Sequence, residues 1–319
     1  MEKLLINLPE FIETQRDAIR DAAKKQGYAA LFCDQTEDAL REASDASIIL
    51  SGNPALVPAA KALRWFCAPS AGVDHFVRVW DQAPEDAILT NSSGAYGVTI
   101  SEHIVMVLLE LMRKRAQYRE IVSRREWVRN LPVRSILGSW ITFLGTGDIG
   151  QETVKKIRGF RPARALGVNR SGKNPADLFD RVVPVTELQD VLRETDVLIM
   201  SLPGTKESTG ILSREMLACL PDQAIVVNVG RGNSIDEEAL LSELHAGRLL
   251  AALDVFQTEP LPQDSPFYDC PNLLLTPHVS GNMTLPYTVQ QICDLFLADF
   301  ERFVKGERPE RLVDVARGY

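Results

Sequence analysis

A glycine-rich turn offers the clearest chemistry in the chain. Trp140-Ile141-Thr142-Phe143-Leu144-Gly145-Thr146-Gly147-Asp148-Ile149-Gly150 is an apolar run that breaks into G-x-G-x-x-G and passes into a polar, helix-compatible segment. The pattern predicts strand, tight turn and helix around a pyrophosphate. Gly145 permits the turn, Gly147 lets backbone N–H groups approach the phosphates because no Cβ intervenes, and Gly150 lets the helix pack on the strand. The helix N-terminus would meet the anion with its positive dipole end. Such turns also arise by chance, so the surroundings must decide. About twenty residues on, a fold that takes NAD sets Asp or Glu against the ribose 2′-hydroxyl. Here the run is Gly167-Val168-Asn169-Arg170-Ser171-Gly172-Lys173, with no acid. Arg170 can grip a 2′-phosphate bidentately, with Asn169, Ser171 and Lys173 as further donors. NADP(H) is therefore expected in preference to NAD(H); the other reading of Arg170 and Lys173 is a solvated turn.

These residues need a sheet to hold them. Apolar runs at 3–8, 29–33, 47–50, 65–68 and 88–90 predict strands, with helices after Pro9 up to Gly27 and over 37–43. A second series opens at Trp140 and continues at 164–168, 182–183, 197–200, 225–229, 250–254 and 273–276, with helices over 149–158, 187–194, 213–219 and 237–246. Strand–helix alternation predicts an α/β fold with mostly parallel sheets. The early strands close in small or polar residues, notably Ser70-Ala71-Gly72 and Asn91-Ser92-Ser93-Gly94, and ligands of open α/β sheets sit at those carboxyl ends. Apolar residues at helical spacing, among them Ile104, Val107, Leu108, Leu111 and Met112, predict one long helix over 99–118. The cation-rich segment 113–134 around Trp127 reads as a solvated helix and loop. Residues 285–302 again have helical spacing and are expected to fold back on the N-terminal domain.

Composition narrows the partners. A chain of 319 residues favours two domains, and 45% hydrophobic residues favour a globular fold over disorder. A net charge of −8 argues against nucleic acid or an acidic membrane as partner. The five scattered cysteines include no C-x-x-C pair, so no disulfide framework and no metal site is expected, and a reducing cytoplasm fits best. The apolar start is too short for a signal-peptide core, and no apolar run reaches a membrane span.

Three further stretches complete a recognisable set: Asn228-Val229-Gly230-Arg231-Gly232, Ala252-Leu253-Asp254-Val255-Phe256-Gln257-Thr258-Glu259-Pro260, and Leu275-Thr276-Pro277-His278-Val279-Ser280-Gly281. With the glycine turn, the Ser70-Ala71-Gly72-Val73-Asp74 loop and the segment from Asn91 to His103, the chain from about residue 65 onward resembles the D-isomer-specific 2-hydroxyacid dehydrogenase family. The resemblance implies two Rossmann-like domains with parallel sheets. A dinucleotide-binding domain at 98–285 would be inserted into a discontinuous, flavodoxin-like substrate domain at 1–97 and 286–319. It implies hydride transfer from NADPH to C2 of a 2-keto acid, giving a D-2-hydroxy acid, in a homodimer. His278 would be the general acid in reduction. Glu259 would pair with the imidazole and hold its orientation, and Arg231 would bind substrate and oppose the developing oxyanion. Ser70, Ala71 and Gly72 would hold the substrate carboxylate. Gly145, Thr146, Gly147, Asp148, Ile149, Gly150, Asn169, Arg170 and Ser171 would line the phosphate half of the cofactor site. Leu202, Pro203, Val229, Gly230, Asp254, His278, Ser280 and Gly281 would line the rest, Asp254 meeting the nicotinamide carboxamide. His75, His103 and His245 read as ordinary surface or core residues. Two alternatives share the fold: a dinucleotide-sensing, corepressor-like interaction protein, and a formate- or phosphite-type dehydrogenase.

Overall fold

The computed structural model describes residues 1–319, and its twelve strands form two separate sheets with every strand pair parallel. Met1–Tyr96 and Met283–Tyr319 make one compact unit, and Gly97–Asn282 makes the other. The boundaries expected from sequence were 1–97, 98–285 and 286–319.

In the first unit β1 (Glu2–Asn7), β2 (Tyr28–Phe32), β3 (Ala46–Ser51), β4 (Trp65–Cys67) and β5 (Ile88–Thr90) stand in the order β2-β1-β3-β4-β5, the flavodoxin-like order. All of β3 and β4 is buried, which is why these strands read as unbroken apolar runs without alternation. The helix Pro286–Val304 belongs to this unit. It stacks Phe296 and Phe300 on Trp65 at centroid distances of 5.2 and 6.5 Å, while Trp65 Nε1 donates to Thr90 Oγ1 at 2.9 Å. Full burial of large apolar side chains contributes roughly 1.5–3 kcal/mol each, so this helix is an integral layer of the unit.

In the second unit β6 (Trp140–Leu144), β7 (Arg164–Asn169), β8 (Arg181–Pro184), β9 (Val197–Met200), β10 (Ile225–Asn228), β11 (Leu250–Leu253) and β12 (Leu273–Leu275) stand in the order β12-β11-β10-β9-β6-β7-β8. The chain builds outward from β6 through β7 and β8, then crosses back to lay β9 on the other side of β6. The gap between the β6 and β9 ends is therefore the topological switch point, where open α/β sheets bind ligands. Strands β9, β10 and β11 are wholly buried.

The single helix expected over 99–118 is two. Gly97–Met112 ends where its buried stripe of Ile100, Ile104, Val107, Leu108 and Met112 runs out. Lys114 then turns left-handed (φ +57°), and a second helix runs over Arg115–Ser123. Arg134 N–H donates to Met112 C=O at 2.8 Å, so the returning chain satisfies a carbonyl at the helix end. No helix is long and apolar enough to cross a membrane. The five cysteines carry free thiols, and burial pushes those of Cys67 and Cys293 up to about 12.

Candidate active site

The glycine turn leaves β6 at the switch point. Gly145 has φ +110°, and a Cβ there would lie 2.9 Å from Ser201 Oγ just beyond β9. A Cβ on Gly150 would overlap the carbonyl oxygen of Gly145. Gly147 differs: it is exposed, a Cβ on it would meet nothing, and it caps the helix Asp148–Arg158 with no side chain on the helix's first N–H groups. The fold thus requires glycine at 145 and 150, while glycine at 147 keeps space clear over a helix N-terminus. Asp148 turns from that space. Its carboxylate accepts the backbone N–H of Gly97, and burial pushes its pKa up against that hydrogen bond. Thr146 is buried, and Ile149 is half-buried behind the turn.

At the end of β7, Asn169 builds the next loop. Its Oδ1 accepts from Ser171 N–H at 3.0 Å and Gly172 N–H at 2.7 Å, and its Nδ2 donates to Thr146 Oγ1 at 2.8 Å and Lys173 C=O at 2.9 Å. Both amide protons are engaged within the protein. Asn169 therefore shapes the loop and ties it to the glycine turn, where the sequence had suggested a further donor to phosphate. Arg170, Ser171 and Lys173 are exposed on that loop.

The other candidates follow β9, β10, β11 and β12. After β9, Leu202 is half-buried and Pro203 exposed. A Cβ on Gly230 would meet Leu202 C=O at 2.7 Å, and one on Gly232 would overlap the backbone of Phe256. Arg231 thus stands between two glycines that the adjoining loops require. Asn228 at the end of β10 donates to Arg231 C=O at 2.9 Å and accepts Gly230 N–H at 3.0 Å, and Ser234 Oγ donates to Arg231 C=O at 2.6 Å. Val229 and Gly230 are buried beneath this loop.

Past β11, Asp254 is 2% exposed and organises the loop after β12. Its carboxylate accepts Thr276 Oγ1–H at 2.6 Å, Val279 N–H at 2.9 Å and Ser280 N–H at 3.0 Å, and its own C=O accepts His278 N–H at 2.8 Å. Burial alone would raise this carboxyl; the hydrogen bonds from Ser280, Thr276 and Val279 outweigh it and hold the pKa below the usual range. Ser280 is buried and Gly281 half-buried.

The loop that Asp254 organises holds His278 at φ +52°, with its ring Nδ1 2.6 Å from Glu259 Oε2. A carboxylate only accepts, so Nδ1 carries the proton, and Nε2 of the neutral ring is an acceptor. Glu259 Oε1 accepts Phe256 N–H at 2.9 Å. With 51% of the His278 side chain and 35% of the Glu259 side chain exposed, the pair can reach a ligand. Beneath it, Glu237 accepts Gln257 N–H at 2.7 Å; burial raises its pKa, and the Glu259 charge adds to that against the Gln257 hydrogen bond.

The structure thus brings Glu259 and His278 into contact and seats the Arg231 loop against Phe256, all in the second unit. Ser70, Ala71 and Gly72 follow β4 in the first unit, where Ser70 Oγ donates to Gly72 C=O at 2.7 Å and Asn91 Nδ2 to Ala71 C=O at 3.0 Å. Asn228, Ser234, Thr276 and Glu237 escaped the sequence reading as site residues, because their side chains act on backbone or on other site residues. The one available signal was an Asn or Thr at a strand end beside a motif. No group of three or more metal-ligating side chains is present.

A switch-point dinucleotide fold with an acid–imidazole pair and a half-buried arginine on a glycine-bounded loop has the parts of a nicotinamide-linked oxidoreductase. The family description "D-isomer specific 2-hydroxyacid dehydrogenase, NAD binding domain" matches residues 105–280. The chain is 32% identical over 274 residues to glyoxylate/hydroxypyruvate reductase A of Salmonella paratyphi B, covering 83% of this chain and 85% of that protein. A crystal structure of a D-isomer specific 2-hydroxyacid dehydrogenase family protein from Aeromonas salmonicida is 33% identical, with a TM-score of 0.86 over 98% of this chain and 99% of that one. NADPH-dependent glyoxylate/hydroxypyruvate reductase of Sinorhizobium meliloti, solved with NADP and sulfate, is 26% identical, with a TM-score of 0.84 over the whole of both chains. The protein belongs to the D-isomer specific 2-hydroxyacid dehydrogenase family, a class of oxidoreductases with a nicotinamide-dinucleotide-binding domain and small 2-keto or 2-hydroxy acid substrates.

The residues present fit a dinucleotide, since the clear space over Gly147 adjoins uncapped helix N–H groups. Gly147→Ala is expected to leave thermal stability nearly unchanged and to weaken dinucleotide binding roughly tenfold or more, because hydrogen bonds to charged groups contribute about 1.5–3 kcal/mol. Gly150→Ala, by overpacking, is expected to destabilise the fold by about 1–3 kcal/mol. Thermal unfolding and fluorescence titration of the reduced dinucleotide separate the two; undiminished binding in Gly147→Ala would remove that glycine from the phosphate site.

Proposed function

We propose that the protein reduces a small 2-keto acid to the D-2-hydroxy acid with NADPH, reversibly, and that glyoxylate and hydroxypyruvate are of the right class. The 2.6 Å contact of Glu259 with His278 Nδ1 carries this reading. It leaves Nε2 to hold a second proton, which the imidazolium gives to the oxygen on C2 in reduction, becoming the neutral Nδ1–H ring, and which that ring takes back in oxidation. Arg231 opposes the charge that grows on that oxygen, and the N–H groups of Ala71 and Gly72 are proposed as carboxylate binders, as the family resemblance implies. The nicotinamide, when bound, supplies or accepts the hydride at C2. Asp254 fixes the loop bearing His278, and contact with the nicotinamide carboxamide is proposed for it from the family resemblance. An absorbance assay over a panel of 2-keto acids with NADPH and NADH tests the reading. Turnover of glyoxylate or hydroxypyruvate is expected; no turnover of any acid, or oxidation of formate or phosphite instead, would overturn it.

Preference for NADP(H) rests on Arg170 beside Asn169 where an NAD enzyme carries an acid, and the NADP-bound Sinorhizobium relative supports it. Arg170→Ala is expected to lower kcat/KM for NADPH about 10–100-fold, the range of lost charge-assisted hydrogen bonds, and to leave NADH kinetics nearly unchanged. Equal changes with both cofactors would place Arg170 outside the site.

A homodimer fits the apolar side chains exposed between residues 106 and 137, with Trp127 87% exposed among Met106, Val122, Val128, Val133 and Leu137. The unpaired cysteines suit a reducing cytoplasm.

A further inference from the structure

His103 stands on the second turn of the helix Gly97–Met112, half-buried, with its ring Nε2 3.4 Å from Thr276 Oγ1. Thr276 Oγ1 is in turn 2.6 Å from Asp254 Oδ1. A hydroxyl has one proton, and a carboxylate can only accept. The Thr276 proton therefore goes to Asp254, and the hydroxyl oxygen must accept from His103, which requires a proton on Nε2. Burial lowers the His103 pKa against the pull of Asp254, and the neutral ring is then the Nε2–H tautomer.

The chain of contacts ends on the reacting group. Asp254 holds the N–H groups of Val279 and Ser280 with its carboxylate and that of His278 with its carbonyl. Those bonds hold His278 in a left-handed backbone that few non-glycine residues adopt. We propose that His103 is a positioning residue: by donating from Nε2 to Thr276 it aims the hydroxyl at Asp254 and so steadies the loop that sets His278 against Glu259. Its kinetic consequence rests on the proposed role of His278; its structural consequence does not.

With glyoxylate and NADPH, His103→Leu is expected to lower kcat about three- to tenfold with KM nearly unchanged, the size of one ordinary hydrogen bond. Thr276→Val should lower kcat at least as much. The double variant should be no slower than Thr276→Val alone, because residues acting in series do not add. His103→Gln keeps an N–H donor and should stay within about twofold of wild type, a rescue that bulk alone in a leucine does not give. Nitrogen NMR of the four histidines should show His103 as the neutral Nε2–H tautomer, with a resonance that moves in Thr276→Val. Additive losses in the double variant, or an Nδ1–H tautomer, would overturn the proposal. Should the wild type reduce no 2-keto acid, the proposed reaction falls, and the tautomer measurement still decides the role of His103.

Discussion

Replacing His278 with Gln or with Asn is expected to lower kcat by about 10²–10⁴-fold, the span attributed to general acid–base catalysis, while dinucleotide affinity changes little. The two replacements fail differently in structure and alike in chemistry. Asn tolerates the left-handed backbone at this position (φ +52°), and its Nδ2, bonded to Cγ as the imidazole Nδ1 is, can keep the Glu259 contact, but it places nothing at the Nε2 edge. Gln carries the backbone constraint and sets its amide at the Nε2 edge, one carbon beyond the atom that meets Glu259. Neither can deliver a proton as an imidazole does. If the backbone and the Glu259 contact were the whole of the role, Asn would retain most activity; if any hydrogen-bonding group at the Nε2 edge sufficed, Gln would. A similar large loss in both, seen in single-turnover hydride transfer, isolates proton donation from Nε2. Near wild-type turnover in either variant would remove His278 from the chemistry. Affinity should survive because Asp254 holds the loop by its main chain, through the N–H groups of residues 278, 279 and 280.

How far these side chains were legible beforehand depended on what each one touches. Gly145, Gly147 and Gly150 announced themselves because their spacing is imposed by a turn and a phosphate, and the strand runs because parallel strands buried on both faces have few polar positions. The break at Lys114 was not legible: neither Gly nor Pro marks it, and the helix stops because its buried stripe ends at Met112 and the chain at Arg134 returns to its terminal carbonyl. Asn169 and Asp148 were readable by position and not by direction. An amide at a strand end can meet a ligand or tie its own loop, and contacts with Thr146, Ser171, Gly172 and Lys173 decide for the loop. Asp148 lies inside the motif, yet its carboxylate faces Gly97, fifty-one residues earlier in the chain. The same limit hid His103, whose partner Thr276 is 173 residues away. A pattern read along one chain cannot show which distant backbone an ionisable group will meet.

Arg231→Ala is expected to lower kcat/KM roughly 10²–10³-fold, since truncating one partner of a desolvated charge pair costs about 2–5 kcal/mol. The loss should appear in KM and kcat together, because in the proposed role the guanidinium would meet the carboxylate in the ground state and the oxyanion in the transition state. The loop should outlast the change. Its backbone is fixed by Asn228 and Ser234 on the Arg231 carbonyl, and its close approaches involve Gly230 and Gly232. Thermal stability near wild type would therefore accompany the kinetic loss. Arg231→Lys sharpens the test: it restores a charge on a flexible stem without the planar fork. If Arg231 acts only as a charge, Lys should recover most of the rate; if it must grip carboxylate and carbonyl oxygen at once, Lys should recover KM more than kcat. An unchanged kcat/KM in Arg231→Ala would remove Arg231 from the substrate site and leave the Glu259–His278 pair without the cation proposed beside it.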